Sequence, residues 1–126
     1  MVRSVRLIVA AMEHARVRRL ILVSAFGVGD TRRDAPPVPR LMYCLLLGAI
    51  FADKKASEDE LRKSSLDWTV VYPVLLTNGP RTGRYRTGER LELHGVPTIA
   101  RADVAHFVLE EARASGYVRK AVAISY

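Results

Sequence analysis

The chain has 126 residues, enough for one domain with a real core. Its hydrophobic fraction of 49% and charged fraction of 26% are ordinary for a globular protein, and a single cysteine, Cys44, excludes an internal disulfide and fits a reducing compartment. The net charge of +7 comes from 20 Lys and Arg against 13 Asp and Glu, but the arginines are scattered and no basic run is interleaved with aromatics, so nucleic acid is not an expected partner.

In chain order, the N-terminal stretch MVRSVRLIVAAMEHARVRR has no long apolar core followed by a small-residue cleavage site, so it is not read as a signal peptide. Val5, Ile8, Val9 and Met12 fall at helical spacing and predict an amphipathic helix over 3–14. RLILVSAF, residues 19–26, is a nearly continuous apolar run, which suits a strand covered on both faces. GVGDTRRDAPPVP, residues 27–39, reads as a loop from its glycines, aspartates and prolines. A helix is expected from about Arg40, with a break near Gly48 or Asp53 and a continuation through Leu61 to Lys63. Its apolar part, LMYCLLLGAIFA, is shorter than the roughly 20 residues a bilayer requires. It reads as a buried or interface helix, with no membrane partner expected and a cytoplasmic setting.

DWTVVYP, residues 67–73, is rich in β-branched and aromatic residues and predicts a second strand stopped by Pro73. LLTNGPRTG, residues 75–83, reads as a loop. RYRT and RLEL, on either side of Gly88 and Glu89, read as a small hairpin. TIA is a short extended piece, residues 102–114 predict a helix faced by Val104, Phe107, Val108 and Leu109, and KAVAIS, residues 120–125, predicts a last strand. This alternation of helix and strand argues for an α/β layer with a mostly parallel sheet and right-handed crossovers. Three long strands make it small for a doubly wound sheet.

Little in the chain points to metal or hydrolytic chemistry. His94 and His106 stand apart, without acidic or cysteine residues at ligand spacing, so no metal site is expected. No nucleophile elbow appears. Asp103 falls in the first turn of the last helix, where a carboxylate suits the helix dipole. Arg81, Arg84 and Arg86 either meet a phosphate or form an exposed face.

Four segments in order, VRRLILVSAFGVGD, DKKASEDELRKSSLDWTVVYP, LTNGPRTGRYR and RADVAHFVLE, resemble the later half of the atypical short-chain dehydrogenase/reductase family, in particular its NmrA-like and biliverdin-reductase-B-like (flavin reductase) group. The resemblance implies a partial Rossmann-like, doubly wound parallel sheet and NADP or NAD as cofactor. The family's first half carries a glycine-rich loop that holds the pyrophosphate on backbone amides and a helix N-terminus. This sequence has no G-x-G-x-x-G, and FGVGD opens a proline-rich loop. Residues 1–126 are therefore expected to form a single unit, the C-terminal half of an NAD(P)-binding domain without its glycine-rich N-terminal half.

Residue by residue, the resemblance puts Ser24 at the strand end where the family has its catalytic or substrate-contacting serine, with a hydroxyl able to reach a carbonyl or the nicotinamide side. Lys54 matches the family lysine that holds the nicotinamide ribose. Tyr72, Pro73, Val74 and Leu75 fall where the family's backbone runs beside the nicotinamide, with Tyr72 in place of the usual arginine and either stacking on a ring or packing. A tyrosine proton donor would stand four residues before its lysine. Ile50 and Phe51 hold those places before Lys54 and Lys55, so tyrosine-based acid catalysis is not expected. The resulting expectation is an NAD(P)H-dependent reductase of a small flavin- or quinone-type substrate, provided the cofactor half is supplied. The alternatives are a non-catalytic dinucleotide-binding or regulatory module, or a remnant that dimerises. Each predicts a homo-oligomer, because half a doubly wound sheet leaves a strand edge and apolar faces uncovered.

Overall fold

The computed structural model describes residues 1–26 and 52–126. The predicted loop over 27–39, Cys44 and most of the apolar run over 41–52 lie outside the described residues. The chain starts with helix α1, Val2–His14, followed by strand β1, Arg19–Val23. Helix α2 is described over 52–63 and leads into β2, Asp67–Pro73. Short strands β3, Leu75–Thr77, β4, Arg86–Gly88, and β5, Thr98–Ala100, precede helix α3, Arg101–Ala114, and strand β6, Lys120–Ser125.

The main sheet among the described residues has the order β1-β2-β6-β4. β1 and β6 flank β2 in parallel, with Leu20 opposite Trp68 and Val71 opposite Val122, while β4 runs antiparallel to β6. β3 and β5 form a separate parallel pair.

Strand β2 is the centre of the molecule, and its alternating side chains divide the core in two. Trp68, Val70 and Tyr72 join Val5 of α1, Leu61 of α2 and Leu66 on one face. Val71 joins Val122 and Ile124 of β6, Ile99, and Val104 and Phe107 of α3 on the other. This is the period of two expected of a strand buried on both faces. Full burial of each large apolar side chain contributes about 1.5–3 kcal/mol. α1 docks by Val5, Val9 and Met12, while Ile8 is 46% exposed; α3 docks by Val104, Phe107 and Val108, while Leu109 is 50% exposed. Ile8 and Leu109 thus sit off the faces to which spacing assigns them.

The predicted hairpin does not form. RLEL carries no strand, and Arg86–Gly88 pairs with β6 instead, Thr87 standing opposite Ile124. β6 would otherwise present an unpaired edge, and covering it outweighs a local turn at Gly88 and Glu89. The predicted loop over 75–83 starts with strand β3, held by β5.

Candidate functional site

The three parallel strands of the main sheet end on the same side, and in open α/β sheets ligands bind outside these carboxyl ends. Ser24 directly follows β1. Its amide donates to the Val71 carbonyl at 2.8 Å, so it continues the ladder, and its side chain is buried. The Ser24 hydroxyl donates to Glu58 Oε1 at 2.6 Å, and the Tyr72 hydroxyl donates to Glu58 Oε2 at 2.6 Å. Both contacts fall in the range of charge-assisted O–H···O⁻ bonds, about 2.5–2.7 Å. Glu58 and Tyr72 are each 1% exposed. Burial, then the hydrogen bond to Glu58 and its charge, push the Tyr72 phenol well above the usual tyrosine range, against a smaller opposing effect of Arg62. Tyr72 therefore stays a protonated donor, packed in the core.

Helix α2 brings Glu58 to this point. Ser57, Glu58 and Leu61 are all buried on the side facing the sheet. The sequence reading passed over Glu58. The signal was available: an acidic residue three before Leu61 shares the apolar stripe of its helix, where a carboxylate needs partners.

Lys54 lies one turn before Glu58 on the same face of α2, half-buried, and makes no hydrogen bond or ion pair with any described residue. The neighbouring Lys55 instead pairs with Asp59 at 2.7 Å on the exposed side. Pro73 is buried at the end of β2, and its carbonyl accepts the Phe26 amide at 3.0 Å. Val74 packs into the second core cluster, and Leu75 is 55% exposed at the start of β3. Ser24 and Tyr72 are thus brought together through Glu58, Lys54 is placed one turn away, and Val74 and Leu75 turn to the β3–β5 side.

A second polar cluster lies at the same edge of the sheet. Asp103 is fully buried and accepts from the Thr82 amide at 2.9 Å, the Thr82 hydroxyl at 2.8 Å, the Gly83 amide at 2.8 Å and the Tyr126 hydroxyl at 2.7 Å. Burial opposes its charge, but the Gly83 amide, the Tyr126 hydroxyl and the two Thr82 donors outweigh it and hold the carboxyl at about 2. Gly83 has φ +67°, a backbone that glycine adopts without strain. Arg84, next in the loop, shares with Thr82 and Tyr126 an open depression of about 470 Å³. Among the described residues no group of His, Cys, Asp and Glu could hold a metal ion, and no helix is long and apolar enough to cross a membrane.

Residues 2–114 match the model of a family described as NAD(P)H-binding. The chain belongs to this NAD(P)H-binding family. NAD(P)H is thus the cofactor class that goes with the fold, and a grouping with atypical short-chain dehydrogenase/reductases is consistent with the solved structures it resembles. The reductase pytE of Aspergillus terreus is 32% identical over 125 aligned residues, covering 85% of this chain and 48% of its own length. ChuY of Escherichia coli O157:H7, an anaerobillin reductase, superposes with a TM-score of 0.79 at 28% identity, over 95% of this chain and 55% of that one. A short-chain dehydrogenase/reductase of Veillonella parvula, solved in complex with NADP, has a TM-score of 0.79 at 20% identity, over 94% of this chain and 55% of its own, which shows a shared fold. The chain spans about half the length of the curated relatives it matches.

Proposed function

We propose that the chain supplies the nicotinamide side of an NAD(P)H-dependent reductase site for a small flavin- or quinone-type substrate. The observation that carries this reading is that Glu58 holds Ser24 at the carboxyl edge of the sheet, with the half-buried Lys54, unpaired among the described residues, one helical turn from Glu58 on the same face of α2. These residues fit the nicotinamide and ribose end of a dinucleotide: a polar hydroxyl at a strand end, and an ammonium with no competing partner among the described residues. They do not fit the pyrophosphate, which needs a run of backbone amides at a glycine-rich helix N-terminus that the sequence lacks.

A bound reduced nicotinamide supplies the hydride. What this chain's own residues do is position and exclude water. Lys54 offers three N–H donors to a ribose hydroxyl pair. Pro73 and Val74 are buried where β2 ends. Tyr72 is not free to act as the acid, since it is buried and committed to Glu58. Hydride acceptors that need little protein acid, such as flavins and quinones, therefore suit the site better than simple ketones. The same lack of an acid favours, as a second reading, a dinucleotide-binding module without turnover.

Calorimetry of the chain with NADPH and with FMN, followed by a steady-state assay of NADPH oxidation with FMN or a quinone, separates these readings. Binding with turnover is expected. Binding without turnover would select the module, and neither heat nor a thermal shift with any of the ligands would overturn both.

A further inference from the structure

A serine hydroxyl carries one proton and two lone pairs. In Ser24 that proton is directed at Glu58 Oε1, 2.6 Å away, inside a buried cluster. The other carboxylate oxygen takes the Tyr72 proton at the same distance. Two donors converging at charge-assisted distances are the arrangement of an ionised carboxylate, an acceptor-only group. Arg62, one turn beyond Glu58, acts on the same Tyr72 phenol, and its guanidinium lies 5.3 Å from the centre of the Trp68 ring. A cation is thus at hand to favour the charged form.

We infer that Glu58 is a positioning residue: by holding Ser24's only proton it leaves Ser24 Oγ as an acceptor, so Ser24 receives an N–H or O–H from the ligand instead of polarising a substrate carbonyl. This rests on the reductase reading and, of the two contacts that the family resemblance allows Ser24, a carbonyl or the nicotinamide side, excludes the first. Two ligands carry such a donor, the carboxamide N–H of the nicotinamide and the imide N–H of a flavin. A ketone oxygen carries none. Selectivity at Ser24 is then for amide- and imide-bearing ligands. Removing a hydrogen bond that leaves such an acceptor unpaired changes affinity by roughly tenfold or more.

The test has two arms. In the first, the unliganded protein is compared by infrared difference spectroscopy with Glu58→Gln and with Ser24→Ala at neutral pH. An ionised carboxylate band that vanishes in Glu58→Gln and shifts in Ser24→Ala is expected. If Glu58→Gln fails to fold, the Ser24→Ala difference alone decides. A protonated carboxyl band in place of the carboxylate, or no shift in Ser24→Ala, overturns the inference whatever the protein binds.

In the second arm, binding of NADPH is compared with that of its 3-acetylpyridine analogue, and binding of FMN with that of N3-methyl FMN. The wild-type protein should prefer the N–H-bearing member of one pair by roughly tenfold, and Ser24→Ala should bring that ratio close to one. The pair that responds identifies the donor. Tight binding with no preference in either pair, or an unchanged preference in Ser24→Ala, overturns the acceptor role and leaves the reductase reading standing. Failure of all four ligands to bind, with the infrared result intact, counts against the reductase reading and with it against any ligand contact at Ser24.

Discussion

At the scale of single residues, Asp103 shows how a carboxylate is kept charged without water. The dipole role read from its place in the first turn of α3 describes a small part of its surroundings, because its four hydrogen bonds come from Thr82, Gly83 and Tyr126, more than 19 residues away along the chain. Helical spacing carries no trace of such partners, which is why the burial of this side chain was not legible. Its consequence is a pH dependence of known sign. An unfolded aspartate has a pKa of about 3.9. The folded carboxyl sits lower, at about 2, so the native state binds fewer protons and Asp103 stabilises it above pH 4. That contribution fades as the pH falls from about 4 to about 2. Urea midpoints measured across this window should drop in the wild-type protein and change much less in Asp103→Asn, which should be the less stable of the two at pH 7. Parallel pH curves for the two proteins would show that Asp103 is not the group responsible.

At the scale of elements, the C-terminal end of α3 is fastened to the opposite end of the sheet by an ion pair whose carboxylate, Glu111, is buried and whose arginine, Arg19, is half-buried. Arg19 Nη2 lies 2.7 Å from Glu111 Oε1, and its Nη1 donates to the Asp67 carbonyl and the Thr69 hydroxyl, each at 2.8 Å. Glu111 also accepts the Tyr117 amide at 2.7 Å and the Gly116 amide at 3.1 Å, closing the turn into β6. Ser115 caps the helix in the left-handed conformation, its amide bonded to the Glu111 carbonyl. Breaking a buried pair by removing one partner leaves the other charge stranded, at a cost of about 3–5 kcal/mol. Glu111→Ala should therefore destabilise the chain by about 3 kcal/mol in denaturant unfolding. The Arg19→Met, Glu111→Leu double variant should recover most of that loss, the more so because Arg19 Nε has no hydrogen-bond partner among the described residues. A double variant no better than Glu111→Ala would mean that the turn hydrogen bonds, not the stranded arginine, carry the cost. The strands and helices on either side of this staple were legible because β2 alternates between two cores and α1 and α3 repeat at helical spacing. The false hairpin at 84–93 came from trusting local turn chemistry where a distant strand edge decides the pairing. Glu58 was missed for the related reason that its partners, Ser24 and Tyr72, belong to two different strand ends.

At the scale of the whole molecule, β1 is the outermost strand of the main sheet among the described residues. Among the described residues no strand pairs with its outer side, although β2 next to it is buried almost throughout. Arg19 to Leu22 are half-buried, and Val23 is 42% exposed. The backbone identifies which groups are free. Ser24 and Phe26 donate their amides to Val71 and Pro73, and Arg18 accepts the Asp67 amide, so the even-numbered residues face β2. In a parallel ladder the alternate residues, Arg19, Ile21 and Val23, then point their N–H and C=O groups outward. Such an edge is a template for another strand, and Val17, Leu7 and Ile8 are exposed apolar side chains. We expect two copies to associate through it, giving a mass in light scattering that rises from monomer to dimer over micromolar concentrations. Proline on an outward position removes one edge donor and leaves the bonds to β2 in place. Val23→Pro should therefore remain monomeric across that range with its unfolding midpoint little changed. A wild-type chain that stays monomeric at tens of micromolar would remove self-pairing at β1, and a Val23→Pro variant that still dimerises would move the contact away from this edge.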